Sequence, residues 1–408
     1  MAEAEKTSTI WQRYRSLSPT VFALSLVSFL NDTSSEIIYP LLPTFLALTL
    51  GASPFAIGLI EGFAESIASI LKLFSGYLSD RFGNRKFPVF VGYSLAAVVR
   101  PLLSFVTSWP QVLFVRMTDR IGKGIRGAPR DALLAETVPE HARGLAFGFN
   151  RAADHLGAIV GPIVAFLLLT YLAADSATPT AREYQQVFLF ASIPVALGLF
   201  VIVVFVREEK KPATEADEVP LKFSLRAFDP NFKRFLVVVS LFTLSNSTDA
   251  FLLLRAQETG IATAMLPLLW MVLHFSKFFS SIIGGDVSDK IGRKTMILTG
   301  WVIYAFVYAG FAFADSAWQA WTLFIVYGLY FGLTEGVEKA LVADMVDDEK
   351  RGTAFGFYNL AYGITVFPAS IIFGFVWSKF GAAPAFIMSA VISLIASACL
   401  LMIRARKS

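Results

Sequence analysis

The stretch ALLAETVPEHARGLAFGF (132–149) is repeated as ALVADMVDDEKRGTAFGF (340–357), at an offset of 208 residues. Ten of the eighteen aligned positions are identical, among them the whole AFGF that ends each copy. At nearly the same offset, GYLSDRFGNRK (76–86) aligns with GDVSDKIGRK (285–294). An internal repeat on this scale predicts a chain built from two related halves.

The composition of the chain places both halves in a membrane. Of its 408 residues, 55% are apolar and 16% are charged, whereas a soluble domain has about 25% charged residues. So few charges exclude a soluble enzyme and a disordered chain. The net charge of +4 does not indicate a nucleic-acid partner, because the basic residues lie in short clusters between apolar runs. The one cysteine, Cys399, excludes a disulfide scaffold and a multi-cysteine metal site.

Twelve apolar runs are long enough to cross the hydrocarbon core, which takes about 20 residues of helix. These runs are 19–48, 54–76, 87–107, 111–135, 144–171, 187–206, 235–254, 261–284, 294–313, 317–344, 353–377 and 383–403. We therefore predict an all-α polytopic membrane protein with twelve transmembrane helices in two pseudo-symmetric six-helix halves. The predicted N-terminal bundle is 1–206, the predicted linker is the polar segment 207–234, and the predicted C-terminal bundle is 235–408.

Lys and Arg in the connecting segments predict the orientation, because these residues are enriched in cytoplasmic loops. One side has only Arg182, Arg255 and Lys379. The other side has the remaining loop and terminal cations, which are Lys6, Arg13, Arg15, Arg81, Arg85, Lys86, Arg143, Arg207, Lys210, Lys211, Lys222, Arg226, Lys233, Arg234, Lys290, Arg293, Lys294, Lys350, Arg351, Arg404, Arg406 and Lys407. Both termini are therefore predicted to be cytoplasmic, in a multi-pass protein of the bacterial inner membrane.

The loop 76–86 and its copy 285–294 resemble the signature loop of the major facilitator superfamily. In that family the loop acts as a latch that closes the cytoplasmic side in one conformation. In the fourth span, Arg120-Ile-Gly-Lys123-Gly124 is similar to the family's buried-arginine motif, with Lys123 in place of a glutamine. The resemblance covers the whole chain and implies the family's fold, with a substrate site between the halves and alternating access.

Small residues in the fifth span add to this resemblance. Gly148, Gly157, Gly161 and Pro162 match G-x8-G-x3-G-P, a pattern that the family associates with antiporters. Such residues also allow close contact between helices, so plain helix packing is an equally good interpretation of them.

Charged residues at membrane depth are the candidates for the transport machinery, since each costs roughly 2.5–3.5 kcal/mol on insertion scales. In the fourth span they fall on one helix face. Asp32 and Glu36 form one carboxylate pair at spacing i, i+4, and Glu61 and Glu65 form another, so that each pair shares one face of its helix. Neighbouring carboxylates in a poorly solvated site do not both ionise easily. This property favours proton coupling. The predicted proton-coupling and cavity residues are Asp32, Glu36, Glu61, Glu65, Arg100, Arg116, Arg120, Lys123, Arg151, Asp154, Asp249 and Glu335. Static ion pairs are the competing interpretation for each of them.

A second set of residues lies nearer the predicted cytoplasmic ends of the spans. We assign them to a gate that closes that side, partly from the signature loops and partly from their depth. The predicted gate residues are Asp80, Arg81, Gly83, Arg85, Arg126, Arg130, Asp131, Asp289, Gly292, Arg293, Glu338 and Lys339.

These patterns predict a secondary transporter, proton-coupled, that moves a small anionic or zwitterionic solute outwards by alternating access. The antiporter-like glycines favour export, and the intramembrane cations favour an anion. The expected partners are the solute, protons and membrane lipid, with no nucleic acid, metal or cofactor, and a monomeric protein. An uptake permease or facilitator for an anionic metabolite or chelate is one alternative, and a non-transporting sensor or assembly protein is another. Without a metal motif or a nucleophile elbow, we do not expect an enzyme.

Overall fold

A computed structural model describes residues 17–82, 84–139, 142–208, 224–347 and 350–403. Within these residues the chain forms twelve long helices in two sets of six. The helices are α1 (Pro19–Thr49), α2 (Pro54–Phe82), α3 (Lys86–Phe105), α4 (Trp109–Glu136), α5 (Arg143–Leu172), α6 (Ala181–Phe205), α7 (Pro230–Glu258), α8 (Leu266–Ile291), α9 (Arg293–Phe313), α10 (Ala317–Asp344), α11 (Arg351–Phe380) and α12 (Ala382–Leu401).

Ten of the helices in the described part of the chain are long and apolar enough to cross a membrane. Helices α4 and α8 are not among the ten, and along α4 a run of charged residues lies between Arg116 and Asp131. Several of these side chains are buried against neighbouring helices. The predicted fold class, all-α with twelve transmembrane helices in two related halves, is confirmed.

The two halves repeat the same packing. In the first half α1 packs on α5 and α6, while α2 and α3 both pack on α4. In the second half α7 packs on α11 and α12, while α8 and α9 both pack on α10. The exact boundaries of the two bundles stay a prediction, since much of the linker lies outside the described residues.

Hydrogen bonds at the helix ends follow the same repeat. The Lys86 ammonium donates to the Val206 carbonyl at 2.6 Å, and Lys294, 208 residues later, donates to the Leu401 carbonyl at 2.7 Å. In each half, therefore, a lysine near the start of the third helix donates a hydrogen bond to a backbone carbonyl at the end of the sixth helix, where no helical N–H is available to that carbonyl. The duplication thus extends to side-chain contacts.

Helix α7 is interrupted partway along the span. Its first segment ends at Ser245, its second begins at Ala250, and the four residues between them are all polar. The hydroxyl of Tyr304 donates to the freed Ser245 carbonyl at 2.6 Å. Non-helical backbone at this depth is tolerated where it lines a cavity or is buried in protein, and residues 246–249 do line a cavity.

The halves meet along α2 with α11 and along α5 with α8. We call the side that includes residues 206–208 the linker face, and the side that includes residues 173–180 and 259–265 the far face. Among the described residues, the hydrogen bonds between the halves run from mid-membrane to the far face. Ser66 donates to the Gly363 carbonyl at 2.6 Å, and at the far face Thr263 donates to the Ala177 carbonyl at 2.9 Å.

Towards the linker face the halves separate. A side-chain carbon built on Gly148 of α5 or on Gly336 of α10 would have no atom within 4 Å beyond the adjacent backbone of its own helix. Arg151 and Glu335 lie at a similar depth, and their side chains are 68% and 67% exposed. The structure is therefore closed at the far face and open towards the linker face.

Candidate functional site: a charged cavity between the halves

A cavity of about 300 Å³ lies between the two halves. Helices α1, α2, α3 and α4 form one wall, and α7, α8, α10 and α11 form the other. Eight of the predicted cavity residues line it, and these are Asp32, Glu36, Glu65, Arg100, Arg116, Arg120, Lys123 and Asp249.

A buried network holds two arginines of the first half around one asparagine. Arg100 donates through Nε to Asp119 at 2.9 Å and through its two terminal nitrogens to the backbone and side-chain oxygens of Asn31 at 3.0 and 3.1 Å. Arg126 donates to the same Asn31 side-chain oxygen at 3.2 Å and to the Gly92 carbonyl at 3.2 Å. These groups tie α1, α3 and α4 together and leave little freedom for either guanidinium.

Two further arginines of α4 pair with α2. Arg116 forms a bidentate ion pair with Glu61, with N–O distances of 2.8 and 2.6 Å, and both side chains are buried. Arg120 contacts Glu65 through a single ion pair at 2.9 Å, and Glu65 is one-third exposed. The buried pair has the geometry of a structural contact, while the second pair is open to the cavity.

Lys123 differs from the other cations of this wall. It lines the cavity, and it has neither an ion pair nor a hydrogen bond with any other described residue. Glu65 and Asp32 interact with Lys123 electrostatically beyond ion-pair distance, and Asp32 accepts a hydrogen bond from the Asn31 side-chain amide at 3.0 Å. Lys123 is therefore a charge that faces the cavity and is available to a ligand.

Glu36 connects the two halves directly. The indole N–H of Trp270 on α8 donates to Glu36 at 2.7 Å, and Nε2 of His274 lies 4.0 Å from the same oxygen. Glu36 is thus a carboxylate of one half that is held by a side chain of the other.

The wall from the second half is aromatic rather than charged. Its one carboxylate, Asp249, accepts a hydrogen bond from the Tyr327 hydroxyl at 2.7 Å. Trp270, Phe331 and Tyr362 line the cavity beside it. The two walls therefore have opposite chemical character.

Four predicted cavity residues do not line the cavity. Glu61 lies behind Arg116, as described above. Asp154 lies 3.7 Å from Arg151 and 3.9 Å from Arg130, between the cavity and the linker face. Glu335, on the opposite half, lies 3.9 Å from Lys339. Apart from Glu61, these groups lie in the opening towards the linker face.

Two of the predicted gate residues, Arg85 and Arg293, form matched ion pairs at the linker face with carboxylates that were not predicted. Arg85 pairs with Glu136 at 3.2 Å, and Arg293 pairs with Asp344 at 3.0 Å. Arg293 and Asp344 lie 208 residues after Arg85 and Glu136, respectively. Gly292 ends α8 with φ of +93°, a conformation that favours glycine. Gly83 and the side chains of Asp80, Arg81 and Asp289 lie outside the described residues.

Other predicted gate residues lie deeper than expected. Arg126 lines the cavity, held by Asn31 and Gly92, and Arg130 pairs with the adjacent Asp131 at 2.9 Å. Glu338 does not pair with Lys339, because it is buried and accepts hydrogen bonds from Trp301 at 2.9 Å and from Tyr358.

The glycines of α5 pack directly behind the carboxylates of α1. A side-chain carbon on Gly161 would lie 2.7 Å from both Glu36 Cβ and the Thr33 carbonyl, and one on Gly157 would lie 3.0 Å from Asp32 Cβ. Pro162 follows within the same helix and is buried. Close contact of α5 with α1 therefore fixes the position of Asp32 and Glu36.

Gly161→Ala is expected to destabilise the protein by about 1–3 kcal/mol, because the added methyl group overpacks the α1–α5 contact. Gly148→Ala is the matched control in the same helix, since a methyl group there meets open space. Thermal unfolding in detergent compares the two variants. Equal melting temperatures for Gly161→Ala and the wild type would contradict the packing role.

Several residues of the site carried no signal in the sequence. Asn31, which organises two arginines, is the first of six consecutive polar residues (31–36) and does not stand out from its neighbours. Trp270 and Phe331 are members of abundant residue classes in this chain, which has 7 Trp and 39 Phe. The repeat offers one signal, since Phe331 lies 208 residues after Lys123. Within the described residues, no group of three or more His, Cys, Asp or Glu could hold a metal ion.

Comparison with known proteins identifies the family. The Major Facilitator Superfamily profile matches residues 24–336 and 235–408. An uncharacterized MFS-type transporter of Methanocaldococcus jannaschii is 34% identical over 95% of this chain and 96% of its own length. A multi-drug resistance efflux pump of Streptococcus pneumoniae is 22% identical over 82% of this chain and 83% of its own length.

Solved structures of other transporters have the same fold as this chain. The crystal structure of the nucleoside transporter NupG matches with a TM-score of 0.79 and 14% identity, over 95% of this chain and 100% of that chain. The twelve-helix fold, the repeated halves and the central cavity therefore all agree with the sequence match. This chain is a transporter of the major facilitator superfamily and not an enzyme.

Proposed function

We propose that this transporter is proton-coupled and moves a small anionic or zwitterionic solute by alternating access of its central cavity. The observation that carries the proposal is Lys123, a cation that lines the cavity without an ionic partner among the described residues. An intramembrane cation of this kind marks a substrate or ion pathway. A solute carboxylate or phosphate would supply the missing partner.

Asp32 and Glu36 are the proposed proton-coupling groups. Both line the cavity, and neither forms an ion pair with an arginine or lysine among the described residues. Glu36 also accepts a hydrogen bond from Trp270 of the other half. Adding a proton to Glu36 would weaken that contact and favour separation of the halves at the far face. Proton binding and alternating access would then be coupled through one side chain.

For direction, we propose export. The α5 glycines that resemble the antiporter pattern pack against the coupling carboxylates, and one relative is named as an efflux pump. The linker face would be cytoplasmic, with both termini on that side of a bacterial inner membrane, because the matched cations Lys86, Arg143, Lys294 and Arg351 lie there. Each chain encloses its own cavity, so we propose a monomer.

Uptake by symport is the second candidate, and the charge of the cavity favours it. A proton on Asp32 or Glu36 makes the cavity around Lys123 more positive, so that a bound proton strengthens binding of an anion. By linkage, the anion also strengthens proton binding. A proton and an anion that bind together would travel in the same direction.

Proteoliposomes that contain a pH-sensitive dye test the proposal and separate the two candidates. We expect an added solute to move protons across the membrane, against its own flux for export by antiport and with it for symport. Asp32→Asn should abolish the proton movement. Asp315→Asn, a change at an exposed carboxylate in the α9–α10 turn, is the matched control.

Each outcome bears on a specific part of the proposal. Unchanged proton movement in Asp32→Asn would remove that residue from the proton pathway. Solute flux without any proton movement would make the protein a facilitator. No flux of any solute in a broad screen of anions and zwitterions would favour a non-transporting sensor or assembly protein.

A further inference from the structure

The internal repeat places an aromatic residue of the second half at the position equivalent to each of two charged residues in the first. At the offset of 208, Lys123 corresponds to Phe331, and both residues line the cavity. Asp119 corresponds in the same way to Tyr327, which is also buried. The two walls thus present equivalent positions that differ in kind, charged on one side and aromatic on the other.

The aromatic wall offers flat ring surface to the cavity, beside the polar segment 246–249. Trp270, Phe331 and Tyr362 line it, and Tyr39 of α1 packs on Trp270 with ring centroids 4.9 Å apart. Flat rings of this kind bind other flat groups by offset or edge-to-face contact. A compact polar ion would leave this surface unused.

A cation lies against the same aromatic wall. The Lys277 ammonium is 3.4 Å from the centroid of the Phe331 ring and 5.7 Å from that of Trp270. Among the described residues it has no carboxylate within ion-pair distance. The positive charge of Lys277 beside Phe331 attracts a negatively charged group in this part of the cavity and repels a second cation.

From these contacts we propose the substrate class: a monoanion carried on a flat apolar body, such as an aromatic or conjugated ring carboxylate. Its anionic group would pair with Lys123 and its ring would lie against Phe331 and Trp270. A cavity of about 300 Å³ fits one or two fused rings, since it is at the lower end of the usual range of ligand sites. The proposal rests on the anionic substrate of the proposed function and narrows it.

A matched probe series tests the substrate class by calorimetric titration of the purified protein. Benzoate should bind more tightly than acetate, which lacks the ring, and than cyclohexanecarboxylate, whose ring is not flat. It should also bind more tightly than benzamide, which lacks the charge. Benzyltrimethylammonium, which carries the opposite charge, should bind most weakly.

Two variants separate the two ends of the site. Lys123→Gln should weaken binding of every carboxylate roughly 10- to 100-fold, because it removes a charged partner. Phe331→Leu should weaken benzoate binding roughly 3- to 10-fold by loss of ring contact, and leave acetate unchanged. Phe313→Leu, at an exposed position near the far end of α9, is the control and should change neither.

The substrate class would be overturned by tightest binding of acetate, of benzamide or of benzyltrimethylammonium, or by failure of every flat carboxylate to bind. The result stays distinct from that of the proton assay. Transport of a compact anion with proton movement would keep the proposed function and remove only the aromatic substrate class.

Discussion

Glu61→Gln is expected to destabilise the protein by about 3–5 kcal/mol, because it leaves the Arg116 guanidinium buried without its counter-charge. Glu61 and Arg116 share two hydrogen bonds of 2.8 and 2.6 Å, and both side chains are almost completely buried. Arg116 is only 6% exposed, so little solvent can reach it to replace the lost carboxylate. Thermal unfolding in detergent should show a large fall in melting temperature.

Two controls make this result specific. In the double variant Glu61→Leu/Arg116→Met both charges are replaced by apolar groups, and most of the lost stability should return. Glu258→Gln breaks the exposed Arg255–Glu258 pair on α7, which has an N–O distance of 2.9 Å. Exposed pairs contribute about 0–1 kcal/mol, so its melting temperature should stay near that of the wild type.

The result also decides what Glu61 does. A large loss of stability that the double variant recovers assigns Glu61 and Arg116 to the static framework of the first half. A melting temperature as high as that of Glu258→Gln would contradict this assignment and return Glu61 to the proton-coupling candidates. Glu61 would then be a second candidate carboxylate on α2 for proton coupling, together with Glu65, which is one-third exposed beside Arg120.

The fold was predictable because a membrane restricts the choices. Each span must be a helix of nearly fixed length, and the repeat at 132–149 and 340–357 divides the spans into halves. Helix ends were less predictable. The second apolar run ends near residue 76, yet α2 continues to Phe82. Hydropathy detects the hydrocarbon core, whereas a helix continues into the polar interface until its backbone turns.

The charged side of the site was predictable for the same reason. Residues such as Lys123 and Arg120 stand out at membrane depth because charge is rare there. Their partners were not predictable, since the choice between Glu61 and Glu65 for a given arginine depends on how α2 lies against α4. The aromatic wall had no signal of its own, because phenylalanine and tryptophan occur throughout the spans.

Covalently joining the halves at the far face should stop transport completely. Thr263 donates to the Ala177 carbonyl at 2.9 Å, and the Ala264 backbone N–H donates to the Ser176 carbonyl at 3.1 Å. These bonds join a turn of the first half to a turn of the second. Alternating access requires this contact to open, so a link between Ala177→Cys and Thr263→Cys would trap the cavity open to the linker face.

The chain is convenient for this experiment, because Cys399 is its one cysteine and Cys399→Ser gives a background without thiols. Solute-driven proton movement in proteoliposomes should be lost after treatment with a short bifunctional thiol reagent. It should also be lost after oxidation to a disulfide, and reduction of that disulfide should restore it. The matched control is Ala174→Cys/Glu183→Cys, also at the far face but within one half, where the Ala174 N–H donates to Glu183 at 3.0 Å. Linking that pair should leave the rate unchanged.

A linked Ala177–Thr263 variant that transports as fast as its reduced form would show that the halves do not separate at this face. Any solute pathway would then have to pass between them elsewhere.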